Sequence, residues 1–288
     1  MNRKRKQVSS PRSSKIQPES CFCLISYNYK WLSNIVVVRI SLVQLRLRKA
    51  RAESIEHAMK ILRKAIAFDP DIVCLPELWY PKAVDDFEYE FKPIIDLAKE
   101  QSIIIIAGAF LERIDTKQYI SSPIISGTGE TLGRQIKIHP FASQRAIATP
   151  GSAVKIFCCG GIKFGVAICY DLVFPEISRA LVTKGAELIF YPSKISVKGI
   201  KPWHMYAQVR ALENRIPVGA PNMCDDGFGG KSILVTFSYD KKTDIAIPKL
   251  IFGSVKEQTF GIDIDLEYVR KIRNQRMKDF RRALYPTL

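Results

Sequence analysis

A chain of 288 residues, 47% of them hydrophobic, has ample material for a buried core, and its length fits one large α/β domain or two small ones. Seven cysteines and three widely spaced histidines (His57, His139, His204) match neither a disulfide framework nor a zinc-ligand pattern, which argues against a metal centre and for a reducing, cytoplasmic setting. The net charge of +16 raises nucleic-acid binding, but the excess lies largely in residues 1–34 and in a cluster from Arg270 to Arg282, with no zinc-finger, RNA-binding or aromatic-interleaved basic motif, so no specific nucleic-acid partner is expected.

Residues 1–34 are rich in Ser, Lys and Arg, contain Pro11 and Pro18, and lack apolar periodicity. They read as a disordered basic extension; residues 21–29 are too broken by Ser26 and Asn28 to be a signal-peptide core. Folded patterning starts abruptly at Ile35, so residues 35–288 form the second unit. A strand is predicted over 35–45, then a helix over 52–68 with Ile55, Ala58, Met59, Leu62 and Ile66 on one face. Next come a strand at 72–75, a helix over 86–100 and a strand over 102–110. The last holds the longest apolar run, 103–110, which is far too short to span a bilayer, so no membrane partner is expected. Short strands follow near 119–126, 131–138 and 154–157, then a strand over 163–168, a helix over 174–184 and a strand at 188–191. A helix over 203–215 and strands at 218–220, 232–237, 249–252 and 260–264 lead to a closing helix over 266–277. Alternating strands and helices argue for one α/β domain around a buried sheet system.

Within residues 165–176 an apolar run (Val166, Ala167, Ile168) delivers Cys169 to the end of a strand, before Tyr170-Asp171 and the helix-starting Pro175-Glu176. A thiol there is placed as α/β enzymes place nucleophiles, although a lone cysteine is also a common small core residue. Only the thiolate attacks well, so a base is needed. His139 and His204 lie in segments that read as structural; a buried carboxylate is the other source. Glu77 ends the apolar strand 72–75 and stands, like Cys169, at a strand's carboxyl end, though from this segment alone an exposed loop acid is the more ordinary reading. Lys137, between Ile136 and Ile138, points by itself more readily to solvent than into a pocket where its charge would stabilise an oxyanion.

Taken together, Leu75-Pro76-Glu77-Leu78, Lys137-Ile138-His139-Pro140 and Ile168-Cys169-Tyr170-Asp171 with Phe174-Pro175-Glu176 resemble the motifs of the carbon–nitrogen hydrolase (nitrilase/amidase) superfamily. Gly185-Ala186-Glu187, Tyr191-Pro192-Ser193, Arg210-Ala211-Leu212-Glu213-Asn214 and Asn222 fit in the same order. The resemblance implies a four-layer α-β-β-α sandwich and a Glu77–Lys137–Cys169 triad that hydrolyses a small-molecule amide without metal or cofactor. It also implies a homodimer or higher homo-oligomer, with the end of the chain (Arg281, Arg282, Tyr285) compatible with an arm reaching a partner. Tyr170-Asp171 after the cysteine is similar to the amidase and carbamoylase branches, with nitrile hydrolysis as the alternative. Tyr170 would lend its main-chain N–H to the oxyanion, and Asp171 would tie the turn.

Two positions depart from the pattern. Gln144 stands about where many members carry a second glutamate; it can still hydrogen-bond but brings no charge. Val173 replaces an arginine common in members that take carboxylate-bearing substrates, which leaves Lys194 or Arg145 as the cation for such a substrate and favours a neutral amide. Trp79, Tyr80, Trp203 and Tyr206 are candidates for the pocket or for core packing. A catalytically silent relative acting as a scaffold, and a basic protein that binds nucleic acid through its ends, remain the contrasting readings.

Overall fold

Along each central strand, successive side chains enter two different cores, and this alternation sets the architecture. The computed structural model describes residues 37–240, 242–243 and 245–284. The expected extension over 1–34 and Tyr285 of the expected arm lie outside the described residues.

Three parallel strands, β1 (Val37–Gln44), β2 (Ile72–Cys74) and β3 (Ile104–Ile106), form the centre of the first sheet. β4 (Phe110–Ile114), β5 (Lys117–Ile125) and β6 (Thr131–Ile136) extend it antiparallel on one side, and β13 (Gln258–Asp265) closes the other. The second sheet repeats the plan. β8 (Ile162–Val166), β9 (Leu188–Phe190) and β10 (Val218–Ala220) run parallel, flanked by β7 (Ile156–Cys159), β11 (Ile233–Asp240) and β12 (Ile245–Phe252).

Val38, Ile40 and Leu42 from β1, Ile72 and Cys74 from β2, and Ile104 and Ile106 from β3 meet Ile162, Phe164 and Val166 from β8 and Leu188 and Phe190 from β9 between the sheets. The intervening residues, such as Val73 and Ile105, face outward onto α1 (Arg51–Ile66) and α3 (Lys92–Gln101). Ile189, Val218 and Val235 face α4 (Pro175–Thr183) and α5 (Ile200–Asn214) on the opposite side. The result is a four-layer α-β-β-α sandwich, as the motifs implied. Each buried aliphatic side chain contributes about 1.5–3 kcal/mol, so the three apolar layers carry the stability. α6 (Leu266–Asp279) follows β13, with Leu266 and Val269 buried beside the inter-sheet core. None of the helices among the described residues is long and apolar enough to cross a membrane.

Three predicted elements come out differently. The helix expected over 86–100 is two: α2 (Phe87–Glu90), capped by Asp86, ends at Phe91, and α3 restarts with Pro93 in its first turn, where a missing N–H costs nothing. The strand expected over 102–110 breaks into β3 and β4 at Gly108, whose φ is +75°. A β-carbon there would lie 2.2 Å from the Pro76 carbonyl oxygen, so the close approach demands glycine. The strand expected over 131–138 stops at Ile136, and Lys137 turns inward.

Candidate active site

The carboxyl ends of the parallel strands from both sheets converge on one cleft. After β2, the chain makes a tight turn at Leu78 (φ +50°), whose N–H donates to the Ala109 carbonyl while Ala109 donates to Pro76. This cross-tie to the Gly108 segment turns Glu77 inward, where it is 1% exposed. Its main-chain N–H donates to the Ser193 carbonyl at 3.2 Å, joining the end of β2 to the segment after β9 in the other sheet.

Cys169 follows β8 with φ +50°, a left-handed conformation that costs a non-glycine residue energy and is held only by its surroundings. Asp171, fully buried, supplies the hold. Its carboxylate accepts from the N–H of Ile168 at 3.0 Å, just before the cysteine, and from the N–H groups of Ile138 (3.3 Å) and His139 (2.8 Å), just after Lys137. The His139 ring, stacked on Phe174, adds a contact from Nδ1 at 2.9 Å. One carboxylate therefore fastens the cysteine segment to the lysine segment. From below, the buried Arg210 donates to the carbonyls of Leu172 and Val173. The motif around Arg210 was legible in the sequence, but not this clamp.

Lys137 is completely buried. Its Nζ donates to Glu77 Oε1 at 2.5 Å and to Gln144 Oε1 at 2.9 Å; Gln144 also accepts from the Phe141 N–H at 2.9 Å. Burial disfavours the Lys137 ammonium, but the charges of Glu77 and Cys169 and the Glu77 hydrogen bond outweigh it and hold the group above the ordinary lysine value. A buried ion pair is at best a weak stabiliser, whereas removing one partner costs about 3–5 kcal/mol; such a pair at a cleft end points to chemistry rather than to stability.

The Cys169 thiol is pushed up to about 12, first by burial and then by the Glu77 charge, while the Lys137 charge and the Lys194 main-chain N–H pull the other way. Glu77 thus pairs with Lys137 and acts on the Cys169 thiol through its charge. The Lys194 N–H at the sulfur is a contact that no sequence motif announced. Asn222, buried and bonded to the Gly230 carbonyl, arranges it by accepting from the Ile195 N–H at 2.7 Å.

The structure does not bring every candidate to the site. Trp79 and Tyr80 are buried in the core under α1 and α3, with Trp79 donating to the Ala107 carbonyl, and Trp203 is on the buried face of α5; these three are core residues. Tyr206 is exposed on α5 beside Arg210. The Arg145 Nε donates to the Pro140 carbonyl beside a cleft of ~380 Å³ lined by His139, Tyr170 and Phe174. Larger grooves lie far from Cys169, along α5 and β12.

A thiol, a carboxylate and an ammonium are thus gathered where the strand ends of the two stacked sheets meet. Residues 39–274 match the carbon-nitrogen hydrolase family model, and the chain belongs to that family. It is 26% identical over 256 residues to omega-amidase NIT2-B of Xenopus laevis, spanning 82% of this chain and 92% of the relative. It is 30% identical over 217 residues to a hydrolase in the agr operon of Staphylococcus lugdunensis, spanning 70% of this chain and 92% of that one. Its fold matches Saccharomyces cerevisiae Nit3, a member of branch 10 of the nitrilase superfamily, with a TM-score of 0.74 at 23% identity over 85% of this chain and 96% of the other.

Proposed function

We propose that this enzyme cleaves the C–N bond of a small amide, releasing ammonia and a carboxylic acid through a thioester on Cys169. The observation that carries the reading is the convergence of Glu77, Lys137 and Cys169, from three separate segments, with the carboxylate hydrogen-bonded to the ammonium and its charge acting on the thiol. The names of the amidase relatives and the Tyr170-Asp171 pair after the cysteine support amide over nitrile as substrate.

The thiol passes its proton to Glu77 as Sγ adds to the amide carbon. Charge moves onto the carbonyl oxygen, where Lys137 and the Tyr170 main-chain N–H stabilise it. Tyr170 is the second residue of the short 3-10 turn Cys169–Val173, a position whose N–H has no partner within the turn. Glu77 gives the proton to the departing nitrogen, the C–N bond breaks and ammonia leaves. Water then loses a proton to Glu77 and adds to the thioester; the C–S bond breaks, and the sulfur recovers its proton. The Lys194 N–H assists this last step by favouring the thiolate. Gln144 holds Lys137 in place, and the scheme calls on no metal or cofactor.

The hydrolase unit of this reading runs over residues 35–288. The buried thiols of Cys74, Cys169 and Cys224, none in a disulfide, support a reducing, cytoplasmic setting. Exposed Val209 and Leu212 on α5, beside Ile245 and Ile247 on β12, support assembly as a homodimer through this face.

Ammonia release from short aliphatic amides, ω-amides, N-carbamoyl compounds and nitriles tests the reading. Turnover of an amide class is expected, with Cys169→Ala and Glu77→Gln each losing about 10⁴-fold or more. Turnover that survives in Cys169→Ala, or a folded wild type inert towards every amide, overturns it.

A further inference from the structure

The loop that follows Lys137 leaves an arginine and a set of rings together at the surface. Phe174 stacks on the His139 ring with centres 3.7 Å apart and meets Tyr170 edge-on at 5.3 Å, while Phe141 leans on Tyr170 at 4.8 Å. The His139 ring is not free to turn away, because its Nδ1 is held on Asp171 at 2.9 Å. These rings wall the cleft of ~380 Å³, a volume in the range of small-molecule sites, and the wall is formed before any ligand arrives. Arg145 supplies the cation. It is exposed, its Nε makes one hydrogen bond to the Pro140 carbonyl at 3.3 Å, and among the described residues it forms no ion pair. No described carboxylate lines the cleft, and neither do Cys169, Glu77 and Lys137. At the two ends of the 3-10 turn Ala142–Ala146, Phe141 and Ile147 remain half exposed beside it. Single exposed apolar side chains are ordinary, but rings gathered around an unpaired guanidinium are not.

We propose that this cleft is a second binding site, separate from the catalytic set, for a small aromatic carboxylate. The ligand ring packs against Tyr170 and Phe174, and its carboxylate accepts from the terminal nitrogens of Arg145. Each part of the class follows from one feature of the cleft. The aromatic wall favours a flat ring over an alkyl chain. The guanidinium fork matches the two oxygens of a carboxylate, and a nucleotide would bring more negative charge than one arginine offsets. The site is joined to the reacting groups through the chain. Ile138 follows Lys137, Tyr170 follows Cys169, and His139 bonds to the Asp171 carboxylate that ties both segments.

The test is calorimetric titration of the full-length protein with three probes. Benzoate carries both ring and charge, benzyl alcohol keeps the ring without the charge, and acetate keeps the charge without the ring. Benzoate is expected to saturate one site with a Kd of about 1 mM or tighter, and the other two to bind about tenfold or more weakly. Arg145→Met should weaken benzoate about tenfold and leave benzyl alcohol unchanged. Arg145→Lys should retain part of the affinity, because it keeps the charge without the planar fork. The side chain is exposed, so both variants should keep the wild-type thermal midpoint, which checks folding. Lys194→Met, which changes the cation on the Cys169 side, should leave the benzoate titration as it is. Equal binding of benzoate and benzyl alcohol, or wild-type affinity in Arg145→Met, overturns the proposal. Weakened benzoate binding in Lys194→Met moves the ligand to the catalytic side and also overturns it. Absence of binding by any probe, with a lower assembly mass for Phe141→Asp in sedimentation, gives the patch to a second copy instead. None of these titrations depends on turnover, so amide hydrolysis stands or falls separately.

Discussion

The Cys169 thiol is the residue on which the electrostatics bear most directly. Its pKa of about 12 means that almost no thiolate exists at neutral pH in the resting enzyme, so attack must be coupled to proton transfer to Glu77. Alkylation of the Cys169 peptide by a neutral reagent should keep rising with pH well beyond the levelling near pH 9 of an ordinary thiol. The sign of each neighbour follows. Glu77→Gln removes an anion that disfavours the thiolate and should move the curve to lower pH; Lys137→Met removes a cation that favours it and should move the curve higher. Mass spectrometry of that peptide across a pH series checks both, and a curve that ignores either substitution contradicts the arrangement. Cys169 and Glu77 each end an apolar strand, but only the ordered set of motifs made them legible as a site in the sequence. The burial of Lys137 was not legible, because Ile136-Lys137-Ile138 fits a half-exposed strand equally well, and only the Glu77 and Gln144 acceptors decide its direction.

Elements place these groups through a few close approaches. Gly108 lets the end of β3 touch the Pro76 turn, and the Leu78–Ala109 and Ala109–Pro76 bonds then direct Glu77 inward. Gly108→Ala combines a left-handed φ with a 2.2 Å clash and should cost at least about 2 kcal/mol, with a matching loss of activity. Gly161→Ala has a similar φ of +77° but nothing within 4 Å, and should cost only about 1–2 kcal/mol without touching turnover. Denaturant midpoints of the two variants separate clash from strain. The apolar run 103–110 reads as one strand because periodicity cannot distinguish a continuous buried strand from two pieces around a glycine; the break is caused by Trp79 and Pro76, distant in sequence. Asp171 was read correctly as a tie for the turn, but its reach to Ile138 and His139 depends on two sheets meeting and has no local signal.

The whole molecule stacks two similar half-domains, each with three parallel strands, so that their carboxyl ends face one another. The layer order followed from the motifs, whereas the contacts between halves, such as Glu77 N–H to Ser193 and Cys224 N–H to Leu45, arise only when the sheets are stacked. The outer face of α5 and β12 retains Val209, Leu212, Ile245 and Ile247 in solvent, an apolar patch of the kind that protein contacts cover. A Val209→Asp, Leu212→Asp pair should convert a dimer to a monomer in sedimentation equilibrium while the far-UV spectrum is retained; an unchanged mass would move the interface elsewhere. The proposed reaction runs through a covalent bond to one sulfur. Acid-quenching the enzyme during turnover of a cleaved amide and weighing its peptides tests that bond directly. An acyl mass on the Cys169 peptide, absent from Cys169→Ala, is the expected result. Turnover with no adduct on Cys169, or with an adduct on Cys74 or Cys224 instead, would contradict it.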